Sequence, residues 1–280
     1  MERALEGLQT QVVQGGFSYS LVVADNDPQQ SAKEVVMSFS RNSPLEITYC
    51  FEPLPNIALA RNRAIEHADA EYIAFIDDDE YPENDWLSNL YKTCVERNAD
   101  GVLGPVQPYF DSEPPEWVKR GRFFDRQSHE TGYRLHWDEA RTGNVLFRRE
   151  ILDASEPAFR AEFDTAGEDV DFFRRMMAKG CTFVWCNEAV AHELVPASRC
   201  NRSYLLRRAL LRGSNFHKHP THKLKNALKS IIAVPCYAAA LPVLALFGQH
   251  IFLKYLIKLL DHGSRLVAYA GLRTVTRRQT

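Results

Sequence analysis

From Leu194 to Leu260 the chain contains no acidic residue. It also lacks any cysteine pair at C-x-x-C spacing, and its opening residues, Met1-Glu2-Arg3-Ala4-Leu5-Glu6, contain no apolar run. Each absence excludes something. Without paired cysteines there is no zinc-finger or dithiol redox framework, and the six scattered ones (Cys50, Cys94, Cys181, Cys186, Cys200, Cys236) read as reduced, mostly buried thiols of a cytosolic protein. Without an apolar h-region no secretory signal is expected, so the folded part should face the cytoplasm. No internal repeat or low-complexity stretch is present. With 45% hydrophobic and 25% charged residues, the 280-residue chain can bury a real core in one large or two small domains, which rules out a disordered chain.

The acid missing from the tail is concentrated ahead of it. Residues 1–193 carry 35 Asp and Glu against 19 Lys and Arg, a net of −16, whereas residues 194–280 carry one against 15, a net of +14. The overall −2 is therefore a cancellation. A body at −16 repels a phosphate backbone, so nucleic acid is not an expected partner.

Hydrophobic periodicity places alternating helices and strands in the first part of the chain. Ala4, Leu5, Leu8 and Val12 form a helical stripe closed by Gly15-Gly16. Tyr19–Ala24 and Leu45–Tyr49 read as strands, Ser31–Phe39 and Trp86–Arg97 as helices, and Asn56–His67 as a loop leading into a helix. Tyr72–Ile76 is a continuous apolar run, expected to be buried on both faces, and Gly101–Val106 is the next strand. Such alternation predicts a doubly wound, mostly parallel sheet. From Pro108 to Arg141 periodicity gives way to Pro, Trp, Arg and Asp, and an excursion of that length suggests a lid or an acceptor-binding loop; Trp117 is its candidate contact residue. Strand Thr142–Phe147 and a helix from Gly167 to Lys179 follow.

Two carboxylate groups carry the chemistry. Asp77-Asp78-Asp79-Glu80 ends the apolar strand, at the sheet edge where open α/β folds bind ligands. Asp77 and Asp79 point the same way on extended backbone, and a hard divalent cation, Mg²⁺ or Mn²⁺, shared with phosphate oxygens would relieve their repulsion. A solvated acidic turn is the alternative. Glu168-Asp169 opens the Gly167 helix, either as ordinary first-turn acid or as a general base for an acceptor hydroxyl. His192 is either a third metal ligand or a core histidine.

These residues together resemble the family 2 inverting glycosyltransferases of the GT-A fold, in particular bacterial exopolysaccharide enzymes of the succinoglycan type. The resemblance runs from about Leu5 to about Gly213. Asp25-Asn26 resembles the nucleotide-binding strand end, Ala60-Arg61-Asn62 the "ARN" helix beside the nucleotide, and Asp77-Asp78-Asp79 the metal-binding D-x-D. Thr142-Gly143-Asn144 resembles the acceptor-side strand and Glu168-Asp169 the "ED" motif. It implies a GT-A-like, Rossmann-related α/β fold. Asp25, Asn26, Arg61, Asn62, Asp77 and Asp78 would bind the nucleotide-sugar, Asp79, Asp77 and His192 the metal, and Trp117 and Asn144 the acceptor. Asp169, with Glu168, would be catalytic. The implied reaction is inverting transfer from a UDP-sugar to a lipid-linked or polysaccharide acceptor. A phosphohydrolase and a catalytically dead, membrane-docked binding module are the alternatives.

The resemblance departs at the start. Family members open with a central strand that floors the base pocket, whereas this chain opens with what reads as the following helix, so a sheet short of one strand is expected. The halves of the catalytic domain are expected at 1–105 and 106–200, with a helical tail over 201–280. In that tail eight Lys and Arg lie between Asn201 and Lys229, and Ser230–Phe247 follows without a charge, interrupted by Pro235 and Pro242. This composition suits a re-entrant or interfacial helix at the cytoplasmic membrane face.

Overall fold

The computed structural model describes residues 1–163, 167–215 and 223–272. They form two compact units: residues 1–108 with 126–194, and residues 109–125 with 195 onward. The Pro108–Arg141 excursion is thus divided between them, and the basic stretch at 216–222, with its Lys218, lies outside the described residues.

The first unit opens with α1 (Glu2–Gln9), β1 (Leu21–Asp25), α2 (Lys33–Asn42) and β2 (Ile47–Phe51). Next come α3 (Ile57–His67), β3 (Tyr72–Ile76), β4 (Glu80–Pro82), α4 (Trp86–Glu96), β5 (Gly101–Leu103) and β6 (Val106–Phe110), within which the unit boundary falls. After α5 (Glu116–Gly121) of the second unit, the first resumes with β7 (Asn144–Arg148), α6 (Glu168–Ala178), β8 (Phe183–Trp185) and β9 (Ala191–Val195). β1 and β2 pair in parallel, as the alternation predicts. The main sheet, in the order β3-β7-β5-β8, is mixed: β7 runs antiparallel to both neighbours, and β5 and β8 are parallel. β7 follows the long excursion instead of a crossover helix, so nothing forces it to run with β3. A third sheet has the order β4-β9-β6.

Successive residues of the main sheet serve opposite faces. Ile73, Phe75, Val145 and Phe147 pack on Phe159, Phe172 and Phe173, while Tyr72, Ile76 and Leu146 pack on Trp86, Leu87 and Leu90. α3 lies with the first cluster through Ala58 and Ile65, and α1 reaches the second through Leu8. β3 nevertheless departs from the expected two-sided burial: Ile73 is buried, but Ala74 is exposed and Tyr72, Phe75 and Ile76 are half-buried. Among the described residues β3 pairs only with β7, and β1 only with β2, so each presents an open edge. Residues 132–135, within the excursion, fasten to β8: Gly132 donates to the Trp185 carbonyl and Leu135 to that of Phe183.

The second unit is helical, with α5 joined by α7 (Arg202–Asn215), α8 (Lys223–Leu244) and α9 (Gln249–Tyr269). Phe110, Val118, Phe123 and Phe124 pack with Val195, Cys200, Leu205 and Ile257. α7 and α9 approach closely at Gly213, where an added methyl would overlap Ser264 Oγ. Ser230 Oγ lies 2.9 Å from His262 Nδ1 and ties α8 to α9. Asn226–Phe247 is long and apolar enough to cross a membrane, with a mean hydropathy of 2.1, and only 6% of that apolar stretch is buried.

Candidate active site

The site lies where β3 gives out. Asp77 follows the last β3 residue, and the Glu80 amide donates to its carbonyl in a tight turn that starts β4. The Leu194 amide bonds the Asp79 carbonyl, holding this turn against β9. The side chains of Asp78 and Asp79 are exposed, whereas Glu80 is fully buried.

Arg61 on α3 joins the two carboxylate groups recognised in the sequence. Its guanidinium stands 3.5 Å from Asp77 and 2.5 Å from Glu168, resting over the Phe159 ring. Asparagine side chains anchor α3 itself. Asn56 caps its first turn through the amides of Ala58 and Leu59 and donates to the Ala161 carbonyl; Asn62 bonds both the carbonyl and the amide of Phe159. Both therefore pin the 159–161 segment to α3. Asn62 spends its amide on the fold.

α6 begins at Gly167, whose φ of 104° suits glycine. Three acids occupy its first turn, where the helix dipole favours negative charge. They have different partners. Glu168 is buried against Arg61, yet burial, and then the charge of Asp169, push its carboxyl above the ordinary range. Asp169 accepts from its neighbour's amide and lies 4.0 Å from Arg141 Nε. Asp171 is held by Arg174 and Arg175. Asp77 is also displaced upward, first by the protein packed around it, against Arg61 and Arg126, with Asp78 and Asp169 adding repulsion.

Glu80 escaped the sequence reading as a separate site. Its carboxyl is fully buried, and among the described residues neither oxygen accepts a hydrogen bond. Arg126 lies 3.4 Å away and also binds Glu193 at 2.5 Å. Burial, then the charge of Asp77, push Glu80 up to about 9, against Arg126, with Glu193 and Asp79 adding repulsion. Gly143 makes room for this arrangement: a methyl built there would stand 3.0 Å from Asp77 Oδ2 and from both Glu80 oxygens.

The other sequence candidates are placed as follows. Asp25 is buried and accepts from the amides of Asp27 and Ala32 and from the Tyr49 hydroxyl, so it shapes the turn after β1. It lines a cavity of about 990 Å³ with Asn26, Arg61, Asp77 and Asp78. Asn144 accepts from Trp86 Nε1 and donates to the carbonyls of Pro105 and Ala189, which locks strand ends together. Trp117 packs in the second unit's apolar cluster, edge-on to Phe123. His192 is not gathered with Asp77 and Asp79. Its ring stacks on Tyr81, its cross-strand partner, and Nε2 lies 3.0 Å from Glu83. Among the described residues no three His, Cys, Asp or Glu form a ready metal cage. Asp77, half-buried at the strand end, and the exposed Asp79 two residues on offer the oxygen donors that suit a hard cation taking its remaining ligands from phosphate and water.

An open α/β unit with acid at a strand end and a second acid at a facing helix start has the architecture of a GT-A-like sugar-transfer domain. Residues 1–155 match the family model described as Glycosyl transferase family 2, and the chain belongs to that family. It is 33% identical over 220 residues to the succinoglycan biosynthesis protein ExoM of Rhizobium meliloti (strain 1021), covering 76% of this chain and 70% of that protein. It is 25% identical over 173 residues to the glycosyltransferase AglE of Haloferax volcanii, covering 61% and 55%. Among solved structures, S. aureus TarS 1–349 in complex with UDP superimposes with a TM-score of 0.53 at 15% identity, covering 96% of this chain and 86% of that TarS fragment, a likeness of fold. The protein is a glycosyltransferase, which removes the phosphohydrolase alternative.

Proposed function

We propose that the protein transfers a sugar from a UDP-sugar to a hydroxyl of a lipid-linked or polysaccharide acceptor, with inversion, in exopolysaccharide or cell-envelope synthesis. The observation that carries this reading is the Arg61 bridge, which ties the strand-end carboxylate Asp77 to the helix start bearing Asp169. The relatedness to a succinoglycan biosynthesis protein supports the substrate class, and the fold shared with a UDP-bound enzyme supports the donor.

In this mechanism the nucleoside diphosphate lies along Asp25, Asn26 and Arg61, at the end of the cavity they line. Asp169, outside the Arg61–Glu168 pair, accepts the proton of the acceptor hydroxyl. The new bond forms from that oxygen to the anomeric carbon as the bond to the diphosphate breaks, and the electron pair leaves with the phosphate. Attack from the opposite face inverts the centre and needs no covalent enzyme intermediate. Asp79, with Asp77, would hold Mg²⁺ or Mn²⁺, which supplies neutralisation of the leaving diphosphate. Glu168 keeps Arg61 oriented between the donor and acceptor sides.

The exposed apolar side chains of α8 (Leu228, Ile231, Ile232) and of the segment after it (Leu246, Phe247) support docking on the cytoplasmic membrane face, where lipid-linked acceptors reside. Asp169→Asn tests the catalytic assignment: transfer should fall by at least about 10³-fold while UDP titration with Mn²⁺ stays unchanged. Equal loss of both refutes the base assignment. A second reading, a catalytically silent membrane-docked module, draws on the open edges of β1 and β3. No response of the parent protein to UDP and Mn²⁺ would favour it.

A further inference from the structure

α8 and α9 of the second unit form an antiparallel pair with a fixed register. Ser230 bonds His262, and Tyr237 packs on Tyr255 at a centroid distance of 5.8 Å, so 230 to 237 on α8 runs against 262 to 255 on α9. That register puts Val234 level with Lys258 and Ala238 level with Lys254. Ala238 lies at the middle of the charge-free run Ser230–Phe247. Both lysines are exposed, and their spacing of four sets them on one line of α9. This line is the flank between Tyr255 and His262, which face α8, and Ser264, which faces Gly213 of α7. Away from the seam α8 is apolar: Ile231, Ile232, Val243 and Leu246 are each more than half exposed. Pro235 and Pro242 are exposed on the same side of the helix. Each proline withholds the amide that the carbonyl four residues earlier, of Ile231 or Ala238, accepts in a regular helix.

α8 can meet a bilayer in two ways. If it crossed, α9 would cross beside it, with Lys254 at the hydrocarbon midplane and Lys258 one turn away. The prolines would then face lipid tails, beside carbonyls that nothing in the hydrocarbon can satisfy. If α8 lies flat, its outward face sinks only to the headgroup boundary, where water reaches those carbonyls and the lysine heads reach lipid phosphates. Asp261, the single acid among residues 194–280, is buried between Arg212 and Arg265, so the tail turns no carboxylate toward an anionic surface. We propose that the second unit docks monotopically: α8 lies in the plane of an anionic bilayer without crossing it, apolar face down, with Lys254 and Lys258 on lipid phosphates. This rests on the membrane reading above and adds to it the orientation of the helix and the charge of the lipid.

Two measurements on the full chain test it. In the first, membranes with the cytoplasmic face outward are isolated from cells producing the His250→Cys variant and treated with a membrane-impermeant maleimide, with labelling read peptide by peptide. Cys236 is exposed on α8, and position 250 lies in the first turn of α9. Flat docking should slow labelling of Cys236 about fivefold or more relative to lipid-free protein and leave the thiol at position 250 open to the reagent. Protection of both until detergent is added means that α8 crosses, which overturns the flat arrangement and leaves docking intact. Labelling of Cys236 at the lipid-free rate overturns docking itself, and the proposal with it. Protection of Cys236 in lipid-free protein that sediments as a dimer assigns the face to a second copy and also overturns the proposal. The second measurement is flotation with vesicles of phosphatidylcholine alone or with about one-third phosphatidylglycerol. Binding should be about tenfold or more tighter on the anionic vesicles, and Lys254→Gln with Lys258→Gln should remove most of that preference without moving the melting point. Equal binding to both vesicles, or a preference that survives the double variant, overturns the lipid contact assigned to the lysines.

Discussion

Replacing Arg61 with methionine isolates what the bridge between the two carboxylate groups contributes. Arg61 and Glu168 side chains are 11% and 6% exposed, so solvent screens their contact weakly. Methionine keeps much of the packing over Phe159 but strands the Glu168 carboxyl beside Asp169. Stranding one partner of a buried pair costs about 3–5 kcal/mol. The folded carboxyl already lies above its ordinary range, so proton uptake limits the loss and favours the lower end. At about 2–4 °C per kcal/mol for a domain of this size, the Arg61→Met melting point should fall by roughly 6–12 °C near pH 8. The fall should be smaller at pH 5, where protonation spares the buried charge. Glu168→Gln in the same background should recover at least about 1 kcal/mol, since the double variant buries no unpaired charge. Differential scanning calorimetry of the four proteins closes the cycle. A single-variant shift within about 2 °C of the parent, or a double variant that falls by the sum of the singles, would refute the account.

Three further outcomes follow from the same geometry. Gly143→Ala drives a methyl against three carboxyl oxygens, and buried Glu80 cannot retreat, so stability should drop by about 1–3 kcal/mol; denaturant titration and transfer assays check this, and a fully active, equally stable variant contradicts the close approach. Glu80 has a folded pKa of about 9, above its unfolded value, so the folded state holds the proton more tightly and stability should decline as pH rises from about 5 toward 9; Glu80→Gln should flatten that slope in pH-dependent melting, and an unchanged slope counts against it. Leu246→Lys with Phe247→Lys, two exposed positions, should shift the protein from membrane to soluble fractions on low-salt lysis with little change in melting point; unchanged partitioning argues against this docking surface.

Much of the element order was legible because apolar spacing is a local signal: Tyr72–Ile76, Asn56–His67 and the helix after Gly167 fall where their periodicity puts them. The acid at the β3 end was legible for the same reason, a run of charge stopping an apolar strand. Pairing across long separations was not. Arg61 and Glu168 are 107 residues apart, and nothing in either neighbourhood specifies the other. Glu80 looked like one more residue of an acidic turn, because its burial depends on β9 and Arg126. Asn62 and Asn144 stand inside recognisable motifs, yet their amides are taken up by Phe159, Trp86, Pro105 and Ala189, contacts that only the folded chain creates. The direction of β7 was hidden because side-chain alternation is the same for parallel and antiparallel strands.

The division of the excursion bears on how the protein can be cut. Residues 109–125 belong to a unit whose remaining chain begins at residue 195, so neither unit is one uninterrupted segment. A fragment ending at Leu194 would keep Phe110, Val118, Phe123 and Phe124 and lose Val195, Cys200, Leu205 and Ile257, the side chains they pack against. Such a fragment would carry a freshly exposed aromatic surface and a tendency to aggregate. A soluble catalytic fragment therefore calls for replacing residues 109–125 with a short polar linker as well as removing the tail.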